Sequence, residues 1–172
     1  MRHPRRTPLL LALTLLAACD AIDLPTPPAP APSAPPTVFE AEVLGLVNEA
    51  RAQGHDCGAE GAFGPAGAVA LEPRLTAAAQ AHAGDMNDNN YFSHTGRDGS
   101  SIGDRVDRAG YPWRLVGENI GSGYEDAASV TADWLASDGH CANLMKPDYV
   151  HMGVGKSGEY WVQVFARPQG SR

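Results

Sequence analysis

The residues of this chain that could support chemistry are scattered histidines, one carboxylate and two cysteines, namely His82, His94, His140, His151, Glu118, Cys57 and Cys141. Two neutral imidazoles and one carboxylate could bind Zn²⁺, with water as the fourth ligand. The spacing does not settle which residues meet, because the chain has no HxH or HxxxH pair of histidines and no CxxC motif. Which of these residues lie close together therefore depends on the helices and strands that carry them.

Composition limits the class of protein. The chain has 172 residues and a formal charge of −7, and its basic residues do not cluster beyond the first six positions. A nucleic-acid-binding surface would need clustered cations facing phosphates, so we predict no nucleic-acid partner. The length fits one ordinary domain with appendages, and we expect a monomer.

The N-terminus has the pattern of an export signal. Three arginines precede the apolar residues 9–18, a run too short to cross a bilayer as a helix. The sequence LAAC at 16–19 resembles the lipobox of bacterial lipoproteins, in which the cysteine receives a diacylglycerol anchor. We therefore predict a lipoprotein signal peptide over residues 1–18 and lipidation of Cys19. The alternative is an ordinary signal peptide cleaved at one of the two preceding alanines, which would leave a free thiol.

A proline-rich stretch follows Cys19. Seven of the 14 prolines lie in residues 25–36, a composition that favours an extended polyproline II conformation at about 3 Å per residue. We predict that residues 19–36 are a lipidated, disordered tether and that residues 37–172 form the folded domain. Removal of the signal peptide leaves ten basic and 20 acidic residues, a charge of −10. These features predict an acidic domain outside the cytoplasm, anchored to the membrane and facing the periplasm or the cell surface.

Apolar periodicity and capping residues predict helices first and strands last. The predicted helices run from the Thr37 capping box to Gln53, from Pro73 to 90, from 101 to 109 and from 126 to 137. The predicted strands are 114–120 and a final hairpin of 151–155 and 159–167, and residues 55–70 are predicted to form a long loop. Helices that precede an antiparallel meander indicate an α+β domain with the sheet between helical layers.

Five short sequence motifs occur in an informative order along the chain. They are YFSH at 91–94, GENI at 117–120, WLASDGHCAN at 134–143, and PDY at 147–149 with MGVG at 152–155. Together they resemble the CAP superfamily (SCP domain), which includes cysteine-rich secretory proteins, insect venom antigen 5, plant pathogenesis-related class-one proteins and exported bacterial proteins. The resemblance extends over residues 38–167 and implies an α-β-α sandwich with a central antiparallel sheet and a surface cleft.

The resemblance also implies a site. Many family members place two histidines and two acidic residues in the cleft, where they can hold a divalent ion such as zinc. His94, Glu118 and His140 match three of these positions, whereas Ser137 stands where the family has its second glutamate. A hydrolytic site would need a separate general base, and the missing glutamate was its natural candidate. Metal binding is therefore the stronger expectation and catalysis the weaker one.

Each candidate also has a structural interpretation. Glu118 could be a buried carboxylate that ties helix ends together, and Asn119 and Ser137 would at most support the site. His82 shares a predicted helix face with apolar residues, so we expect it to be structural. His151 is expected to bond only to the backbone.

Cys141 directly follows His140, which suggests a Cys-His nucleophile. Adjacent residues rarely present their side chains to each other, and cysteines of exported domains usually pair, so we favour a disulfide with Cys57. If Cys19 is lipidated, Cys57 is the partner that remains in the sequence. The bond would stabilise the domain by roughly 4 kcal/mol in the chain-entropy model and would fix the segment that carries His140.

These observations predict an exported, membrane-anchored protein whose cleft binds a divalent cation such as Zn²⁺, a lipid, an envelope polymer or a partner protein. Two alternatives stay open at this point. One is a zinc-dependent, peptidase-like hydrolase that uses the same cleft. The other is a structural envelope protein whose cleft is vestigial.

Overall fold

The computed structural model of this protein describes residues 35–170. The predicted signal peptide, Cys19 and residues 19–34 of the predicted tether lie outside the described residues. In the described part of the chain, every helix is too short or too polar to cross a membrane.

The secondary structure alternates between helices and short strands before a final hairpin. The helices are α1 (Val38–Gln53), α2 (Pro73–Asn89), α3 (Ile102–Arg108), α4 (Ala127–Ala136) and α5 (Asp138–Met145). The strands are β1 (His55–Asp56), β2 (Ala62–Phe63), β3 (Ala70–Leu71), β4 (Trp113–Ser122), β5 (His151–Ser157) and β6 (Tyr160–Pro168). A 3₁₀ turn, Gly58–Glu60, lies between β1 and β2.

Local capping explains where the helices begin. Thr37 and Glu40 form the predicted capping box of α1, and Ser101 forms a second one with Asp104 at the start of α3. The carboxylate of Asp126 caps α4 by accepting a hydrogen bond from the backbone N–H of Ser129 at 2.7 Å. These caps satisfy N–H groups that have no partner inside the helix, so the predicted starts of these three helices are confirmed.

The main sheet has the strand order β3-β5-β6-β4. The pairs β4–β6 and β5–β6 are antiparallel, as predicted. The edge strand β3 pairs parallel to β5, with Ala70 opposite His151. The sequence did not predict this pairing, because a strand of two residues has no hydrophobic period to recognise.

Helices cover both faces of this sheet. Alternation along β6 directs Val162 and Val164 into a core with Leu75 of α2, while Trp161 and Phe165 belong to a second core. The second core contains apolar residues from the other helical layer, including Val47 of α1, Trp134 of α4 and Leu144 of α5. The domain is therefore the α+β, α-β-α arrangement that the sequence predicts.

Two parts of the fold differ from the predicted elements. The predicted loop 55–70 contains the small β1–β2 sheet and the 3₁₀ turn. Helix α5 was not predicted: the extended backbone of Ser137 ends α4 where the sequence predicts the end of the fourth helix, and α5 begins at the next residue. A disulfide joins Cys57 to Cys141, with 5.5 Å between the Cα atoms, and attaches the 3₁₀ turn to α5.

Candidate functional site

A cleft of about 580 Å³ lies between β4 and α5, and the 3₁₀ turn forms part of its wall. His94, Glu118 and His140 all line it, so the fold brings together the three residues that the resemblance singled out. They come from three different places: the segment after α2, strand β4 and helix α5. Asn119 lines the cleft as well, whereas Ser137 does not belong to its lining residues.

Both oxygens of the Glu118 carboxylate interact with other side chains of the protein. Its side chain is 2% exposed and forms an ion pair with Arg105 of α3, with 2.7 Å between Nη2 and Oε2. The other oxygen, Oε1, accepts a hydrogen bond from Nδ1 of His94 at 2.9 Å. Because a carboxylate only accepts, Nδ1 of His94 must carry the proton. Glu118 thus ties α3 and the segment of His94 to β4.

The two cleft histidines have different environments. The side chain of His94 is 57% exposed, and His140 is half-buried. Burial lowers the pKa of His140, and the neighbouring His94 lowers it further. The buried Nδ1 of His140 has no hydrogen-bond partner among the described residues. His140 therefore lies in the cleft as a neutral imidazole with unused hydrogen-bonding capacity.

A chain of amide and phenol groups fixes the floor of the cleft. The Nδ2 group of Asn119 donates to the backbone carbonyl of His140 at 3.2 Å and to Oε1 of Gln163 at 3.1 Å. Asn143 donates from Nδ2 to Oδ1 of Asn119, and the hydroxyl of Tyr149 donates to Oδ1 of Asn143, both at 3.0 Å. Burial raises the pKa of Tyr149 to about 12, so its hydroxyl keeps its proton at neutral pH. These hydrogen bonds hold α5, and with it His140, against β4.

A glutamate that sequence reasoning missed belongs to this cleft. Glu60 is exposed at the end of the 3₁₀ turn and lines the cleft. Asp138, the acid adjacent to Ser137, instead accepts a hydrogen bond from the backbone N–H of Ala59 at 3.0 Å. That bond and the Cys57–Cys141 disulfide hold the turn next to α5. Only the disulfide prediction could have directed attention to this turn, because Glu60 has no motif around it.

The other two candidate histidines, His82 and His151, lie outside the cleft. His82 is 1% exposed on α2, and its Nε2 lies 2.9 Å from the carbonyl oxygen of Ser93, as expected of a structural residue. His151 begins β5, and its Nδ1 lies 2.7 Å from the hydroxyl of Tyr111. The expectation of a bond to the backbone alone was therefore wrong, because the ring of Tyr111 is packed beside it.

The three residues predicted to bind zinc do not fit a zinc ion in this arrangement. Both oxygens of Glu118 accept from Arg105 and His94, and its side chain is 2% exposed, so of the three predicted ligands the two imidazoles remain, whereas zinc sites normally use three or four protein ligands. Within residues 35–170, no group of three or more His, Cys, Asp or Glu side chains could hold a metal ion. We therefore derive no chemical step from a bound metal.

Protonation of the buried histidines should destabilise the domain in mild acid. Burial lowers the pKa of His82 and of His140, and the charge of Arg105 adds to the effect at His82. An unfolded histidine has a pKa of about 6.5, so below that pH the unfolded chain binds protons that these folded residues do not. The free energy of unfolding must then fall as the pH decreases through about 6.5.

Thermal unfolding between about pH 7.5 and pH 5 measures this effect. The melting temperature should decrease with pH, and His82→Gln, whose amide can still donate to Ser93, should reduce the slope. A variant with the full wild-type slope would show that His82 does not contribute.

Comparison with known proteins agrees with the fold. The chain matches the cysteine-rich secretory protein family, CAP, over residues 44–165. It is 38% identical over 86 residues to the uncharacterized membrane protein YlbC of Bacillus subtilis, covering 50% of this chain and 25% of YlbC. It is 35% identical over 97 residues to the uncharacterized protein YkwD of the same bacterium, covering 55% of this chain and 38% of YkwD. The chain thus spans well under half the length of these relatives.

Solved structures give the same result. An extracellular SCP-domain protein from Bacillus anthracis superposes with a TM-score of 0.67 at 28% identity, covering 78% of this chain and 45% of that one. An outer surface protein of Borrelia burgdorferi superposes with a TM-score of 0.61 at 19% identity, and the match covers 75% of this chain and 92% of that protein's chain. The latter identity is low enough that the likeness concerns the fold alone. The family match covers most of the chain, and its position coincides with the sheet and the cleft, so this protein belongs to the cysteine-rich secretory protein (CAP) family.

Proposed function

We propose that this protein is a membrane-anchored binding module of the bacterial cell envelope, and that the cleft between β4 and α5 holds its ligand. The observation that supports this most directly is the state of His140. Its ring lines the cleft, burial lowers its pKa so that it is neutral at neutral pH, and its backbone carbonyl accepts a hydrogen bond from Asn119. A polar group held rigidly in a cleft can bind a ligand without a large loss of side-chain entropy.

The arrangement of the cleft favours binding over catalysis. Glu118, the natural acid or base, is 2% exposed, paired with Arg105 and hydrogen-bonded to His94, so the protein shields its carboxylate from a substrate. Cys141 forms a disulfide with Cys57, which removes the thiol that a Cys-His nucleophile would need.

The lining of the cleft suggests the chemistry of the ligand. Phe63 and Leu115 supply apolar surface, while Glu60 and Lys146 bring opposite charges to the same cleft. A polymer of the envelope, which presents both apolar faces and hydrogen-bonding groups, fits this mixture better than a purely apolar lipid does.

Replacing His140 with alanine should weaken binding to the envelope about tenfold, which is the effect of losing one hydrogen bond of about 1.4 kcal/mol. Co-sedimentation of the purified protein with isolated cell envelopes measures this affinity. His55→Ala is the matched control, because His55 lies on β1 and lines a different pocket. Equal binding by the wild type and His140→Ala would show that the ligand does not bind in the cleft through His140. Equal losses in both variants would show that binding does not depend on the cleft.

The proposed location outside the cytoplasm has independent support. The solved relative from Bacillus anthracis is an extracellular protein, and YlbC is described as a membrane protein. The LAAC sequence at 16–19 adds the expectation of a lipid anchor.

Mass spectrometry of the mature N-terminus tests the anchor. We expect the mature chain to begin at Cys19 with a diacylglycerol group on its sulfur. Cys19→Ser should release the protein from the membrane fraction. An unmodified N-terminus at Ala18 or Asp20 would contradict the anchor and leave the proposed role of the cleft unaffected.

A further inference from the structure

The strand β4 lies at one edge of the main sheet, and among the described strands it pairs with β6 alone. An unbroken run of this strand, residues 115–119, lines the cleft. Because side chains alternate between the two faces of a strand, such a run indicates that the cleft reaches the backbone along the strand's edge. Glu118 agrees with this: its side chain is 2% exposed, whereas the residue as a whole is half-buried, so its exposed surface belongs to the backbone.

The hydrogen-bond pattern of the sheet shows which backbone groups of β4 face this edge. The carbonyl of Met152 accepts a backbone hydrogen bond on the β3 side, so the backbone groups of the next residue, Gly153, face β6. Gly153 pairs with Val164, and Val164 also lies opposite Glu118. Because the N–H and C=O of one strand residue point to the same side, those of Val164 face β5, and those of Glu118 face away from β6. By the same alternation, the backbone groups of Val116 face away from β6 as well.

Both ends of this edge are closed to a further strand. The carbonyl of Ile120, two residues after Glu118, accepts a hydrogen bond from Nε1 of Trp134 at 3.1 Å, so α4 covers the edge there. A break in the strand register between Trp113 and Leu115 interrupts the edge at its other end. The part of the edge that stays open is therefore short and lies inside the cleft.

The open part of the edge carries two donors and two acceptors. Within residues 35–170, the backbone N–H and C=O groups of Val116 and Glu118 have no hydrogen-bond partner. Two residues of a strand are separated by about 6.7 Å, and an extended polypeptide repeats its own N–H and C=O groups at the same interval. A sugar chain has no such repeat of adjacent donor and acceptor. Free edges of this kind are completed in other proteins by an added peptide strand.

The walls of the cleft restrict what can reach this edge. They consist of residues from the 3₁₀ turn, α5 and the segment of His94. The β4 edge of a second copy would be recessed behind the same walls, so two such edges could not meet, whereas a single extended segment can enter. Glu118 contacts the ring of His94 on one face of β4, and Asn119 contacts the backbone of His140 on the other. The two cleft histidines therefore flank the open edge.

We propose that the ligand of the cleft is an extended segment of another polypeptide, which adds to the free edge of β4 and exchanges backbone hydrogen bonds with Val116 and Glu118. This inference rests on the proposed function, because it names the chemistry of the ligand in the same cleft. Successive side chains of the added strand alternate between the face of His94 and the face of His140. His140 thus contacts every second side chain of the ligand.

An NMR titration of the purified protein with the capped peptide acetyl-Ser-Leu-Ser-Leu-Ser-amide tests this inference. The amide protons of Val116 and Glu118 should shift downfield in a saturable way, because each gains an acceptor, and they should exchange with solvent at least about tenfold more slowly in the complex. The amides of Gly117 and Asn119 already face β6 and should shift less. This alternation along β4 distinguishes strand pairing from contact with side chains alone.

The same peptide methylated on its three central backbone nitrogens is the control ligand. It keeps every side chain and loses the donors, so it should bind at least about tenfold more weakly. Equal binding of the methylated peptide, shifts without alternation, or no saturable shifts would each overturn the inference.

Val116→Pro tests the same edge from the side of the protein. It removes an N–H that faces away from β6, which an edge strand tolerates, and it should weaken peptide binding at least about tenfold. Val116→Ala keeps the N–H and should bind the peptide within about twofold of the wild type. Circular dichroism shows whether both variants are folded, and if Val116→Pro is not, the methylated peptide decides. Binding by folded Val116→Pro equal to that of Val116→Ala would contradict pairing at this edge.

Failure of this inference differs from failure of the proposed function. If the peptide gives no alternating shifts while His140→Ala still loses envelope binding, strand pairing is wrong and the cleft keeps its proposed role. If His140→Ala binds envelopes as the wild type does, the proposed function fails whatever the peptide does.

Discussion

Replacing Gly155 with alanine should lower the free energy of unfolding by about 3 kcal/mol or more, enough to leave much of the protein unfolded. A Cβ at this position of β5 would lie within 3.0 Å of backbone atoms of Ala79 and Gln80 in α2. Backbone atoms in the middle of a helix cannot move aside as a flexible side chain can, so the whole helix would have to shift. Gly153 meets the backbone of α2 one turn earlier, at Leu75 and Thr76. The two glycines of the MGVG motif are therefore required for α2 to pack closely against β5.

Gly84→Ala is the matched control for this prediction. Gly84 lies inside α2 with no atom within 4 Å of a built Cβ, so alanine should stabilise the helix by about 0.5–1 kcal/mol. Urea unfolding followed by circular dichroism measures both variants. If Gly155→Ala were as stable as the wild type, the close approach of α2 to β5 would be refuted.

Replacing Arg51 with alanine should cost about 4 kcal/mol or more, because the guanidinium is fully buried and donates to four backbone carbonyls. These carbonyls belong to Gly67, Leu144, Lys146 and Tyr149, so Arg51 joins α1 to the 64–69 segment, to the end of α5 and to the turn before β5. The cation also lies where the last carbonyls of α5 have no partner inside the helix. Without it, four buried acceptors lose their donor together.

Arg51→Lys separates the charge from the hydrogen bonds. Lysine keeps the charge but cannot reach four carbonyls in a fixed fork, so its stability should lie between those of the wild type and Arg51→Ala. Arg114→Ala, at an exposed position of β4, should change stability by no more than about 0.5 kcal/mol. A stable Arg51→Ala variant would contradict the role of this residue.

The parts of the fold that could be predicted are those with local causes. The capping boxes at Thr37 and Ser101 and the proline at the start of α2 determine helix ends through neighbouring residues, and the structure confirms them. The hairpin of β5 and β6 follows from alternation and a glycine turn, and it is confirmed as well. Helix α5 was missed because its eight residues, which include Gly139, are too few to show a clear apolar period.

The contacts that give the cleft its properties are not local. Arg51 reaches carbonyls 93 to 98 residues away, and a basic residue in a helix is ordinarily assigned to the surface. The pairing of Arg105 with Glu118 decides that this carboxylate is a structural anchor, and no spacing rule connects the two residues. The resemblance singled out three residues that line one cleft, whereas their chemical state depends on partners that only the three-dimensional arrangement reveals.

We propose that the cleft binds an envelope ligand through His140 without the help of a metal. Co-sedimentation with isolated envelopes in the presence and absence of EDTA tests it most directly, with the wild type and His140→Ala compared under both conditions. We expect EDTA to change the affinity of the wild type by less than about twofold, and His140→Ala to weaken binding about tenfold in both conditions. Loss of binding in EDTA, with recovery on addition of zinc, would contradict it and would favour a metal site in the cleft.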